Sequence, residues 1–305
     1  MPWTHRRAIS ALAVGVIATG VGCDGSASHG AYRAPPSPSP NHSPAHAPSP
    51  KPDPVGSRRI VAYYGAGSQT PALGVLGHGA PETAWARLQR QAAGYATPAH
   101  PVQPAFELIS SVANATPGPD GMYRTRQSAD VIDRYLRTVR RHRGLLILDI
   151  QPGRANFLPE AQALRKWLRQ PDVGLALDPE WRMAPGQVPG KQIGSVSAAE
   201  VNVVSGWLDQ LVAGHHLPTK LFLLHKFRST MVRGESELIN RPHLHEVVNM
   251  DGFGTQKEKL PKYRDFAAAT NFDMGIKLFY KQDVGLMTPE QVMGLDPAPE
   301  VIDYQ

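Results

Sequence analysis

The chain has 305 residues, 41% of them hydrophobic and 19% charged, which excludes wholesale disorder and suits one large domain or two small ones. One cysteine excludes an internal disulfide framework and any Cys-rich metal site. The net charge of +6 falls to +4 once residues 1–57 (four Lys/Arg, two Asp/Glu) are set aside, with no dense basic run left, so nucleic acid is not an expected partner.

In chain order, His5, Arg6 and Arg7 precede a charge-free apolar stretch over 8–22. It is too short to span a bilayer, which takes roughly 20 apolar residues, and reads as a signal peptide over 1–22. Cys23 follows directly, behind Val21 and Gly22. The junction resembles a bacterial lipobox, with Gly20 where leucine is usual, and that resemblance implies diacylation of Cys23 and a lipid anchor on the outer face of the cell membrane. Cleavage without lipidation would instead release the protein. Nine prolines lie between Pro35 and Pro54. Such Pro/Ser density favours extended polyproline II over any packed core, so 23–57 reads as a lipidated stalk.

From residue 58 onward, short aliphatic runs alternate with amphipathic stretches. Strands are predicted at 60–65, 102–109, 145–151, 173–181, 221–227, 247–253, 274–280 and 301–304. Helices are predicted at 82–95, 130–142, 159–169 and 198–213, the last opened by a Ser197/Glu200 capping box. A further helix opens at Thr288, Pro289 and Gln291. Near-continuous apolar strands imply burial on both faces and parallel pairing. Eight alternations in about 250 residues match a (β/α)8 TIM-type barrel lacking its last helix, with an open doubly wound sheet as the alternative. The segment from Gly65 to Gln69 lacks the third glycine of a phosphate-binding turn, and no cofactor is expected. A monomer is expected.

In such a barrel the chemistry sits at the carboxyl ends of the strands. Those ends carry Tyr64, Glu107, Asp149, Gln151, Asp178, Glu180, Trp181, His225, Asn249, Asp251 and Lys277. Each carboxylate alone is explained by a buried ion pair, with Arg154, Arg182 or Lys277 as partner; their convergence points to a ligand site. The sharpest element is Asp178-Pro-Glu180-Trp181. Strand alternation would aim Asp178 and Glu180 to one side, about 6.8 Å apart. Two such carboxyls can divide labour, one protonated and one ionised, as glycosidic cleavage requires.

The Asp-x-Glu strand and the opening IVAYYG resemble family 18 glycoside hydrolases, and Asn249-Met-Asp251 is loosely similar to their Met-x-Tyr-Asp element. That resemblance implies Glu180 as the catalytic acid and Asp178 as the group orienting a substrate N-acetyl. Ala176 stands where a further Asp is usual, and the tyrosine of the sixth strand is absent. Family 25 muramidases share a similar pair, but their opening Asp-Val-Ser is missing. Over most of 58–305 the chain resembles secreted lipoproteins of high-GC Gram-positive bacteria through LDIQPGR, ALDPEW, NMDGFG and KLFY, a likeness that implies no activity.

Tyr63, Tyr64, Trp181, Phe253 and Tyr280 fall near strand ends, where rings could stack on sugars; Trp85, Trp167 and Trp207 read as barrel–helix packing. Three readings follow: a glycosidase acting on a cell-wall or other glycan, a non-catalytic carbohydrate-binding lipoprotein on a decayed barrel, and a metal-assisted hydrolase. The last would use His243 and His245 with His225, Asp149 and Asp251.

Overall fold

The computed structural model describes residues 55, 58–67, 74–98 and 100–305. The signal segment, Cys23 and nearly all of the stalk lie outside the described residues. Eight parallel strands close into a ring: β1 (Arg59–Ala66), β2 (Val102–Ala113), β3 (Leu145–Ile150), β4 (Val173–Leu177), β5 (Lys220–Lys226), β6 (Leu244–Met250), β7 (Asp273–Leu278) and β8 (Val301–Tyr304). Each pairs with its neighbours in sequence, and β1 closes the ring by pairing with both β2 and β8. This is a (β/α)8 barrel.

Strand parity builds two cores. Ile60, Ala62, Ala105, Ile147, Ala176, Leu223, Val247 and Val301 point inward and fill the lower barrel, joined by Val55. Their neighbours Val61, Phe106, Leu148, Leu175, Phe222, Val248 and Ile276 point outward into the layer beneath the helices. Burying each Val, Leu, Ile or Phe among them contributes about 1.5–3 kcal/mol, so the strands are mostly apolar on both faces until the inward face turns polar; Arg59, Gln103, Lys220 and Glu246 are buried exceptions near the strand starts.

The helices are α1 (Pro81–Ala93), α2 (Ala129–Arg141), α3 (Phe157–Ala163), α4 (Arg165–Leu168), α5 (Ala198–Gly214), α6 (Gln256–Ala269) and α7 (Pro289–Met293). Ile132, Tyr135, Leu136 and Val139 of α2 show the three- and four-residue spacing of a packed face. Trp85 of α1 lies so close to Gly144 that a Cβ there would be 2.1 Å from the indole. Trp85 and Trp167 are buried in the outer core and Trp207 packs against it.

Several expectations are corrected. The predicted helix 159–169 breaks at Leu164 into α3 and α4. Ser197 does cap α5 by accepting from the Glu200 amide, but the Glu200 carboxylate turns instead to the Phe157 amide and Arg182. The β5–β6 connection, where a helix is normal, holds single turns at Ser229–Met231 and Glu235–Glu237 and a two-residue strand at Val232–Arg233. Helix α6, absent from the sequence reading, follows β6 behind a Thr255/Glu258 capping box.

Candidate functional site

One step above the apolar floor, the inward position of every strand is polar: Tyr64, Glu107, Asp149, Asp178, His225, Asn249, Lys277 and Asp303. All eight are at most 4% exposed. Tyr64 stands opposite Glu107, His225 opposite Asn249, and Lys277 opposite Asp303 in the ladders. Gly275 faces Asn249 across β6 and β7, and a Cβ at Gly275 would lie 2.7 Å from the Asn249 Oδ1.

Three sets of contacts knit the layer. The Tyr64 hydroxyl lies 3.1 Å from Asp178 Oδ2 and 3.3 Å from Asp149 Oδ2, and Gln151 Nε2 donates to the Tyr64 oxygen (3.0 Å) and to Asp178 (3.2 Å). His225 meets Glu107 at 2.6 Å through Nε2 and Asp251 at 3.4 Å through Nδ1. Lys277 lies 3.2 Å from Asp251 and 3.3 Å from Asp303, with its ammonium 3.4 Å above the Tyr64 ring. That placement adds a cation–π contact in a desolvated setting.

Five carboxyls in the barrel mouth (Glu107, Asp149, Asp178, Asp251 and Asp303) face two cations, Lys277 and His225. Charge balance therefore favours protonation of the surplus acids. Burial, then the neighbouring Asp178, pushes Asp149 well above the usual carboxylate range. Burial, then Glu107, does the same for Asp303. Asp178 is also pushed up by burial, against the pull of His225 and Lys277. Burial would raise Asp251 too, yet the Lys277 and His225 charges bring it down to about 2. Burial and Lys277 oppose a charge on His225, but Glu107, Asp178 and Asp251 outweigh them and hold its pKa well above the ordinary imidazole value. Lys277 likewise stays charged, the penalty of burial being exceeded by Asp251 and Asp303.

Above this layer opens a cleft of about 720 Å³ walled by Tyr64, Gln151, Glu180, Trp181, Phe227, Arg228, Asp251, Phe253, Lys262 and Phe279. A space of that size suits a small ligand or a few units of a polymer. Glu180 is partly exposed, with its Oε2 buried and unpartnered. Burial, reinforced by Asp178 and Asp251, pushes its pKa well up.

No family profile matches the sequence, and no curated protein matches it. Among solved structures the chain is similar to the Podospora anserina GH26-CBM35 β-(1,4)-mannanase, at 10% identity and a TM-score of 0.40, over 82% of this chain and 56% of that one. The chain thus spans little more than half the length of the protein it matches, and a likeness this distant has no bearing on the residues of the site.

The structure brings together the catalytic and binding residues read from the strand ends, in two tiers, while Cys23 lies outside the described residues. Tyr64, Gln151, Glu180, Trp181 and Asp251 reach the cleft; Glu107, Asp149, Asp178, His225, Asn249 and Lys277 lie beneath it. The strand expected over 173–181 ends at Leu177, and Pro179–Trp181 form a 3-10 turn. The turn, not strand alternation, carries Glu180 to the cleft. Of the aromatics, Trp181 and Phe253 line it, whereas Tyr63 belongs to the outer core and Tyr280 stacks on Tyr304. Arg154 and Arg182 do not reach the carboxylates. Arg154 donates to the Gln187 carbonyl, and Arg182 pairs with Glu200 at 3.0 Å.

His243 and His245 are engaged elsewhere, with Asp209 (2.9 Å) and Asp273 (3.0 Å), at the opposite end of β6 from Asn249. Two triads, Glu107/Asp149/His225 and Asp178/His225/Asp251, have ligand-type atoms within 4.8 Å of one another. Both depend on His225, whose nitrogens already face Glu107 and Asp251 and whose raised pKa favours the imidazolium, a poor metal ligand. Asp303 escaped the sequence reading, and so did the cleft residues Phe227, Arg228, Lys262 and Phe279. Parity along 301–304 is the signal that points to Asp303.

Proposed function

We propose that the protein hydrolyses glycosidic bonds, with Glu180 as general acid and Asp251 as the ionised carboxylate. The observation that carries this reading is that two carboxyls open onto one aromatic-walled cleft and are pushed in opposite directions, Glu180 up by burial and Asp251 down to about 2 by Lys277 and His225. Such a pair supplies the proton for the leaving oxygen and the negative charge facing the oxocarbenium-like centre. Water then adds to the anomeric carbon, and the proton it releases restores Glu180. Trp181 and Phe253 offer ring faces for the sugar. Asp178 is bound to Tyr64 and Gln151 below the cleft floor, which supports a role in holding that floor in place.

The test is turnover of glycans by the protein and by Glu180→Gln. Positioned acid catalysis contributes about 10²–10⁴-fold, and the variant should lose about that much while its melting temperature holds. Activity should be flat through the acid range and fall on an alkaline limb as Glu180 ionises. Equal turnover by the two proteins would refute the assignment. A second reading, carbohydrate binding without turnover, is supported by the complete burial of Asp178, which keeps it from reaching a substrate N-acetyl as the family 18 resemblance implies. Binding without turnover, equal in both proteins, would establish it. Lipid anchoring through Cys23 belongs to the same proposal for the cell surface.

A further inference from the structure

The cleft does not end at Trp181. Glu180, Trp181 and Phe227 also wall a hollow of about 300 Å³ with Gly190, Lys191, Gln192 and Ile193. Residues 191–193 and Arg228 in turn border another of about 500 Å³. The three share walls, Trp181 and Phe227 between the first two and Arg228 between the cleft and the last, so they adjoin beside Glu180 as one grooved surface with more room than a single sugar needs.

The charges along it are one-sided. Lys191 borders both smaller hollows, Arg228 the cleft and the larger of them, and Lys262 the cleft, the Lys262 ammonium so close to Gly252 that a Cβ there would lie 3.1 Å from Nζ. Among the described residues none of these three cations has a carboxylate within ion-pair distance, although nine other Lys and Arg side chains do. Among the described residues the only acids on these walls are Glu180 and Asp251, and Asp251 is already matched by Lys277 and His225. Cations left unpaired along a concave, partly apolar channel concentrate the field there and favour a negatively charged occupant.

We infer that the groove takes an anionic polysaccharide, a chain of sugars carrying carboxylate or phosphate groups on the units flanking the one held at Glu180. Lys191, Arg228 and Lys262 pair with those groups, while Trp181 and Phe227 pack against the sugar rings. The inference rests on the glycan reading of the cleft and narrows its substrate class.

Calorimetric titration of the Glu180→Gln protein separates charge from sugar identity and binding from turnover. The probes are oligogalacturonate, the same oligomer as its methyl ester, poly(glycerol phosphate), and neutral manno- and chito-oligosaccharides. The charged oligomer should bind about tenfold or more tighter than its ester, and the difference should shrink between 0.05 and 0.5 M salt. Lys191→Gln, Arg228→Gln and Lys262→Gln should each weaken the charged oligomer several-fold and leave the ester unchanged. Preference for oligogalacturonate identifies carboxylate as the recognised group, and preference for poly(glycerol phosphate) identifies phosphate. Equal binding of acid and ester, or binding of neutral oligomers alone, overturns the inference and leaves a glycan site standing. Absence of binding by every probe overturns both. Charged oligomers that bind but are not cleaved by the unmodified protein uphold the inference and refute hydrolysis.

Discussion

Replacing Lys277 with methionine keeps roughly the volume of the side chain and removes the buried charge that balances Asp251. At the observed 3.2 Å, the attraction is about 5 kcal/mol for an effective dielectric near 20, and the cation–π contact with Tyr64 adds about 2 kcal/mol. Desolvation of the lysine offsets part of this, and removal of one partner from a buried pair costs about 3–5 kcal/mol. For a domain of this size each kcal/mol lowers the melting temperature by roughly 2–4 °C, so Lys277→Met should melt about 6–20 °C below the parent at pH 7. The pH dependence should also flatten on the acid side. In the parent, Asp251 sits near 2, below its unfolded value of about 4, so its stabilisation is present above pH 4 and lost as the pH falls toward 2. In the variant, Asp251 keeps only His225 against the penalty of burial, so its folded-state value rises toward or past the unfolded one and less stability is lost between pH 4 and 2. Adding Asp251→Asn should recover part of the loss. Calorimetry at pH 2.5, 4 and 7 reads all three effects. A melting temperature within about 2 °C of the parent, or an unchanged pH slope, would refute the ion-pair account of the barrel mouth.

Two further outcomes are expected. Gly275→Ala places a methyl 2.7 Å from Asn249 Oδ1 and 3.1 Å from the Val301 carbonyl, and overpacking of that kind costs about 1–3 kcal/mol; urea denaturation should show a lower midpoint with an unchanged slope. Cys23→Ala should release the protein into the medium, and mass spectrometry of the parent should find acyl chains on Cys23; a membrane-retained variant would exclude the anchor.

The eight strands were legible because a parallel strand buried on both faces has little choice but an unbroken aliphatic run, and Leu145–Ile150 or Lys220–Lys226 admit few other readings. The polar inward layer was legible for a related reason, since charged residues such as Asp149 and Lys277 converge at the ends of so many such runs. Where strands stop was harder. Proline at position 179 removes a backbone donor and ends β4 early, a signal that the Asp178/Glu180 spacing obscured. Helix α6 carries the Thr255-x-x-Glu258 start pattern, but Pro261 interrupts it and only Lys259, Tyr263 and Phe266 are buried along it. Its apolar rhythm is therefore faint. Asp303 lies in a four-residue strand, where parity over two inward positions is a faint signal. The cleft walls at Phe227, Arg228 and Lys262 come from connections whose mutual placement depends on the closed ring.

The pairing of Ile60 with Val301 sets the order in which this molecule can assemble. That contact spans some 240 residues of chain, and closing so long a loop makes folding slow relative to proteins built from local contacts. Until β5 and β7 arrive, a partial barrel would hold the acidic groups of β2, β3 and β4 without His225 or Lys277 to answer them. Collapse around those acids alone is penalised, so half-barrels should be poorly populated. The charge layer should therefore act as a folding checkpoint: the apolar floor can consolidate early, but the mouth becomes stable only once β5 and β7 have delivered His225 and Lys277.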